Sequence, residues 1–137
     1  MNLSTTIKLL FTFIGIAVLT GCASVSSKEL AAADFGPYPT KHENIIKNYA
    51  ARTLKDPYSA VYQFGTPRKG VAQDGIALGG KKHFGWIVPV TINAKNDFGA
   101  YTGERSHYFF IAEGQVGDIT GLKSAGMARF LDTAENK

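Results

Sequence analysis

Apolar positions change their rhythm three times along the chain. Residues 9–19 form one uncharged apolar run. Behind residue 40 the apolar positions recur at helical spacing: Ile46, Tyr49 and Thr53, with Ile45, Ala50 and Leu54 widening the stripe. Lys41, Lys47, Arg52 and Lys55 take the opposite side. Thr40 and Glu43 have the spacing of a capping box, and Pro57 disfavours helical geometry at Asp56. The spacing therefore predicts a helix over residues 41–55.

From residue 59 the period falls to two. Ala60, Tyr62 and Phe64 share one face of a predicted strand over 59–64. Residues 65–70 read as a basic loop, Val71 and Ala72 as a short strand, and Asp74-Gly75 and Gly79-Gly80 as turns. The strongest alternation covers residues 84–94, where Trp86, Val88, Val90 and Ile92 are expected in the core. Pro89 has no amide hydrogen, which predicts a sheet edge or a bulge at that point. Residues 96–103 turn the chain, 105–112 run back, and a short strand surrounds 115–119. Residues 124–131 have the spacing of a short helix packing Met127, Phe130 and Leu131, with a frayed end behind it. The expected fold is α+β: one amphipathic helix packed on an antiparallel sheet of about four strands, with a short C-terminal helix.

The first apolar run has a different meaning. At about 1.5 Å per residue it is too short for a bilayer core of about 30 Å, and it matches the central region of a secretory signal. Before it stand only the amino terminus and Lys8 as positive charges; after it comes Leu19-Thr20-Gly21-Cys22. That tetrad resembles the bacterial lipobox. A membrane-anchoring helix or a plain secretory signal is the alternative. The resemblance implies a diacylglyceryl group on the Cys22 thiol, cleavage before Cys22, and acylation of the new amino terminus. Ala23, rather than Asp, follows the cysteine, which by the same resemblance implies an outer-membrane lipoprotein facing the periplasm. The organisation read from this is a signal peptide over 1–21, an acylated cysteine and tether over 22–39, and a single α+β domain over 40–137. Phe35, Tyr38 and the two prolines beside them are expected to dock on that domain.

Charge narrows the partners. The formal net charge is +4, and Lys8 is the only basic side chain ahead of Cys22. The rest are scattered, Arg68-Lys69 and Lys81-Lys82 being the adjacent pairs. A nucleic-acid surface needs a denser basic stripe, so no nucleic-acid partner is expected. The Gly count of 15 and the 12% aromatic share fit a turn-rich, β-containing domain.

Two segments carry a second resemblance, Leu54-Lys55-Asp56-Pro57-Tyr58-Ser59-Ala60 and the stretch from Gly85 through Asn93-Ala94-Lys95-Asn96 to Gly99-Ala100-Tyr101-Thr102-Gly103. Together they resemble a group of small bacterial lipoproteins and exported proteins, over roughly residues 38–112. The resemblance implies a shared fold and carries no activity with it. Ala100 stands where that pattern has a second glycine, which would be strained at positive φ.

Candidate chemistry is sparse. The lone cysteine is consumed by acylation, and of the three histidines none lies within four residues of another. No metal site and no cofactor are expected. A nucleophile elbow is absent, and Gly79-Gly80-Lys81-Lys82 lacks phosphate-loop spacing. Asp74, Glu104 and Asp118 could still assemble a carboxylate pair, so a cell-wall- or lipid-active enzyme is the alternative. An accessory lipoprotein of a secretion or conjugation assembly is a third reading. The candidate ligand site is a polar and aromatic lip of Asn93, Lys95, Asn96, Phe98 and Tyr101, suited to a glycan or a peptide, and it stands second to a purely structural reading of the same stretch. The same asparagines and glycines also suffice simply to close a turn. The expected function is a non-catalytic, membrane-anchored domain that binds an envelope protein or polymer such as peptidoglycan.

Overall fold

A computed structural model describes residues 24–131; the signal segment, the lipobox with Cys22, Ala23 and the residues beyond Leu131 lie outside the described residues. Within that span the fold is α+β. Its helices are α1 (Ser27–Ala32), α2 (His42–Ala50) and α3 (Thr120–Ser124). Its strands are β1 (Asp56–Phe64), β2 (Arg68–Gln73), β3 (Lys82–Lys95), β4 (Arg105–Ala112), β5 (Gln115–Asp118) and β6 (Ala128–Phe130). Among the described residues these six strands form one antiparallel sheet, ordered β5-β4-β3-β2-β6, with β1 also paired to β3.

Strand β3 is the spine. Strand β4 lies along one side of it, while β1 and β2 share the other, β2 opposite its first half and β1 opposite its second. Alternation along β3 sends Val88, Val90 and Ile92 to the face covered by α2. There they meet Ile46, Phe109 and Ile111 in a core whose members are at most 8% exposed. Burying each such aliphatic side chain contributes about 1.5–3 kcal/mol. The far face holds a smaller core under α3, made of Ala72, Ile87, Ile119 and Ala128 with Phe110 and Leu122 against it. The sheet is thus packed on both faces, where a single helical layer was expected.

Pro89 is neither on an edge strand nor at a bulge. It pairs in register with Tyr108 of β4, and its carbonyl accepts the Gly65 amide at 2.8 Å. In an antiparallel pair a residue's N–H and C=O point to the same side. The donor that proline lacks is therefore missing on the β1–β2 side, where β1 has ended at Phe64 and β2 begins only at Arg68. A Cβ on Gly65 would lie 2.7 Å from the Pro89 ring, so opposite this proline residue 65 fits best as glycine.

Other expectations shift for identifiable reasons. The α2 helix ends at Ala50; beyond it Arg52 and Thr53 amides bond to Tyr49 and Ala50 carbonyls, which tightens the chain into turns. Thr40 does not cap α2, because the His42 amide bonds to the Pro39 carbonyl at 3.0 Å and the cap position falls on Lys41. The capping box of this protein is Ser26 with Glu29, at the start of α1. The basic loop is shorter than expected, since Arg68 already pairs with Ile87 in β2. No helix spans 124–131: α3 is over at Ser124, and Ala128–Phe130 runs as β6 against β2.

The segment read as a tether rests on the sheet. Phe35 meets Phe84 edge-on with ring centroids 5.7 Å apart, and Tyr38 meets Trp86 at 5.0 Å. Trp86 is partly buried at the rim of the α2 core, and its indole N–H donates to the Gly36 carbonyl at 3.3 Å. The Lys82 ammonium donates to the Ser24 carbonyl and to the Glu29 carboxylate, each at 2.9 Å.

Candidate functional site

The far face of the sheet is covered only in part. Along β3 its far-face residues are Ile87, Pro89, Thr91 and Asn93, and α3 roofs the Ile87 end. Two shallow depressions lie over the other end, of about 270 and 260 Å³. Gln63 and Thr91 line both, so they join into one trough across β1, β3 and β4. Residues 63–65 at the end of β1, 89–91 of β3 and 106–108 of β4 make up the first depression. Val61, Asn93, Tyr101 and Glu104 complete the second.

Alternation explains this lining. Val61 pairs with Asn93, Gln63 with Thr91, and Thr91 with Ser106, which puts these side chains on the face opposite α2. The bed mixes the amides and hydroxyls of Gln63, Thr91, Asn93 and Ser106 with the apolar Val61 and Pro89, and each end carries an aromatic ring beside a lysine. Lys95 Nζ lies 5.3 Å from the Tyr101 ring centre; Lys123 Nζ lies 4.9 Å from that of Tyr108. The Asn93 Oδ1 atom is shut off from solvent and accepts no hydrogen bond. An acceptor in that condition costs about 1–3 kcal/mol. A turn of the carboxamide toward the trough would expose this oxygen to a ligand's O–H or N–H.

The expected lip divides. Asn93 and Tyr101 line one end of the trough, and Lys95 reaches the Tyr101 ring from outside its lining. Asn96 is spent on its own turn: Oδ1 accepts the Phe98 amide at 3.0 Å and the Ala100 amide at 3.1 Å. The left-handed residue of that turn is Gly99, φ 76°, and Ala100 carries no positive φ. Phe98 stands 93% exposed at the hairpin tip, outside the trough. The Tyr101 hydroxyl donates to the Ser59 carbonyl at 3.2 Å, which ties the hairpin to β1. Sequence reasoning missed Gln63, Thr91, Ser106 and Tyr108, and named Glu104 only as a member of a carboxylate pair. A signal for Thr91 existed: the far-face positions of β3 change from Ile87 to Thr91 and Asn93.

Among the histidines and carboxylates, His107 borders the first depression and Glu104 lines the second, while His83 and Asp74 stand apart from both. His83 bonds Asp74 at 3.0 Å beside a separate apolar depression near α3. His107 bonds Asp118 at 2.9 Å and stacks on Phe109, on the α2 side of the sheet. Burial works against the Asp118 charge, but bonds from the Thr120 side chain and amide and from His107 outweigh it, and the carboxyl is held below its ordinary value. Glu104 faces Gln63 at 3.5 Å. Among the described residues no three His, Cys, Asp or Glu side chains converge to hold a metal ion. No helix among them is long and apolar enough to cross a membrane.

No family model, no curated protein and no solved structure matches this chain.

Proposed function

We propose that this protein is a lipid-anchored lipoprotein of the bacterial envelope whose domain binds an envelope polymer in the far-face trough, without catalysis. The anchoring half rests on Leu19-Thr20-Gly21-Cys22 behind its apolar run. One observation carries the binding half: the trough is open, crosses three strands, and places amides and hydroxyls between two aromatic rings. Small-molecule sites are concave and enclose most of their ligand. An open trough suits a chain that lies across it, and its donors and acceptors suit a glycan strand or the peptide attached to it. Tyr101 and Tyr108 offer ring faces to sugars; Lys95 and Lys123 offer charge to a carboxylate.

Co-sedimentation with purified peptidoglycan tests this reading. Thr91→Arg fills the trough at the shared wall and is expected to abolish co-sedimentation while the circular dichroism spectrum stays unchanged. Full binding by Thr91→Arg would overturn the trough as the site. Lys95→Ala and Tyr101→Ala are expected to weaken binding and keep the fold. If both bind fully, the 96–101 hairpin serves only to close its turn. For the anchor, Cys22→Ser is expected to move the protein out of the membrane fraction.

A second reading has its own support. Tyr58 is fully exposed and Phe98 nearly so, and both belong to the β1–hairpin end of the molecule. Exposed aromatics of this kind are common at protein interfaces, so an envelope protein is the alternative occupant of that end.

A further inference from the structure

The N-terminal contacts fix more than the course of the chain. Lys82 holds the Ser24 carbonyl and the Glu29 carboxylate at 2.9 Å each, and α1 between them starts in a complete capping box. Behind α1, Phe35, Gly36 and Tyr38 lie on Phe84 and Trp86. The chain from Ser24 to Tyr38 is thus attached to the sheet at both ends. Cys22 is two residues ahead of Ser24, and two residues reach at most about 7 Å. Whatever holds Cys22 at a bilayer therefore holds the Lys82 end of β3 there as well.

That end carries a loop with the right chemistry. Residues 75–81 join β2 to β3, and the loop is pinned by Asp74 N–H to the Lys81 carbonyl at 2.9 Å and Gln73 Nε2 to the Gly80 carbonyl at 2.9 Å. Leu78 sits on it 77% exposed, with exposed Lys81 close by. An exposed leucine beside a lysine is a poor match for water and a good one for lipid headgroups over acyl chains.

We propose that the 75–81 loop rests in the headgroup layer of the anchoring bilayer, with Leu78 dipping below it, and that β3 stands outward from the membrane. This rests on lipidation of Cys22. At about 3.3 Å per residue, β3 places its Lys95 end about 40 Å from its Lys82 end. The trough and the 96–101 hairpin then face away from the anchoring membrane, toward whatever polymer or protein lies beyond it. A limp tether would allow any orientation; the Lys82 clamp selects one.

The test uses the full lipidated protein in vesicles of phosphatidylethanolamine and phosphatidylglycerol. Acylation blocks Cys22, so Leu78→Cys and Phe98→Cys each supply a single free thiol for an environment-sensitive fluorophore. Spin-labelled lipids are expected to quench the label at 78 several-fold more than the label at 98. Equal quenching at both positions on vesicle-bound protein would overturn the orientation. Adding Lys82→Ala is expected to reduce quenching at 78 while the protein stays bound; unchanged quenching would overturn the clamp as its cause. Failure of the anchor itself is read separately, as wild-type protein that shows no lipid mass on Cys22 and does not bind vesicles.

Discussion

On one side of β3, Val88, Val90 and Ile92 lie under α2 and are at most 5% exposed; on the other side of the same strand, Thr91 and Asn93 line a trough that no helix covers among the described residues. The covered side consists of interdigitated aliphatic and aromatic groups. The open side mixes amide and hydroxyl groups with Val61 and Pro89, and one of its acceptors has no donor. Two short helices do not cover both faces of a six-stranded sheet, so some surface had to remain open. What is informative is its composition. An obligate interface would be mostly apolar there, whereas Gln63, Thr91, Asn93 and Ser106 give this surface groups that water can solvate.

The largest test of this contrast is Ile46→Ala. Ile46 is fully buried at the centre of the α2 core, and its truncation is expected to cost about 2–5 kcal/mol in chemical denaturation. Thr91→Ala, across the sheet, is expected to stay within about 0.5 kcal/mol. Similar costs for the two would mean that the faces are not different in kind. Next comes Gly85→Ala. A Cβ there would lie 2.6 Å from the Ile111 carbonyl oxygen, a backbone atom with little room to yield. A loss of about 1–3 kcal/mol is expected in the same measurement. Asn93→Ala sharpens the other side: removing an unpartnered acceptor offsets the lost packing, so stability is expected to hold within about 0.5 kcal/mol while peptidoglycan binding falls.

The smallest effect is expected from acid. The Lys82 ammonium, with the Ser26 amide and hydroxyl, holds the Glu29 carboxyl down to about 2. A depressed carboxyl stabilises above its unfolded value, and that contribution is lost as pH falls through the folded one. The clamp is therefore complete above about pH 4.5 and released toward pH 2. Trp86 fluorescence reports it, because Gly36 and Tyr38 cover the indole. Glu29→Gln is expected to remove this acid-dependent change and leave the core transition in place.

The parts of the fold legible in the sequence are those where one strong period runs without interruption. The alternation of residues 84–94 located β3 and its buried side, and the helical stripe located α2. The first half of β2 and the whole of β6 were hidden because their sequences are locally ambiguous. Arg68-Lys69-Gly70 has loop composition, yet it pairs with Gly85, Trp86 and Ile87 because β3 offers a free side there. Ala128-Arg129-Phe130 is too short to show a period, and Met127, Phe130 and Leu131 beside it mimic helical spacing. For the site, the 93–101 stretch was visible as a cluster of polar and aromatic residues. Its division into trough wall and turn was not, since that depends on Asn96 bonding backward and Asn93 lying across from Val61. Gln63 and Ser106 join it only through pairing between strands distant in sequence.

The break opposite Pro89 has a consequence for how the sheet comes apart. Strands β1 and β2 each hydrogen-bond to β3, but the jog from Gly65 to Pro67 interrupts the ladder between them. A fluctuation that peels β1 away stops at that gap and does not unzip β2, which is gripped on its other side by β6. The amide hydrogens of β1 should therefore exchange with solvent as a separate unit, ahead of those of β2. The trough wall at Gln63 then belongs to the looser leaf, able to flex against a rigid spine.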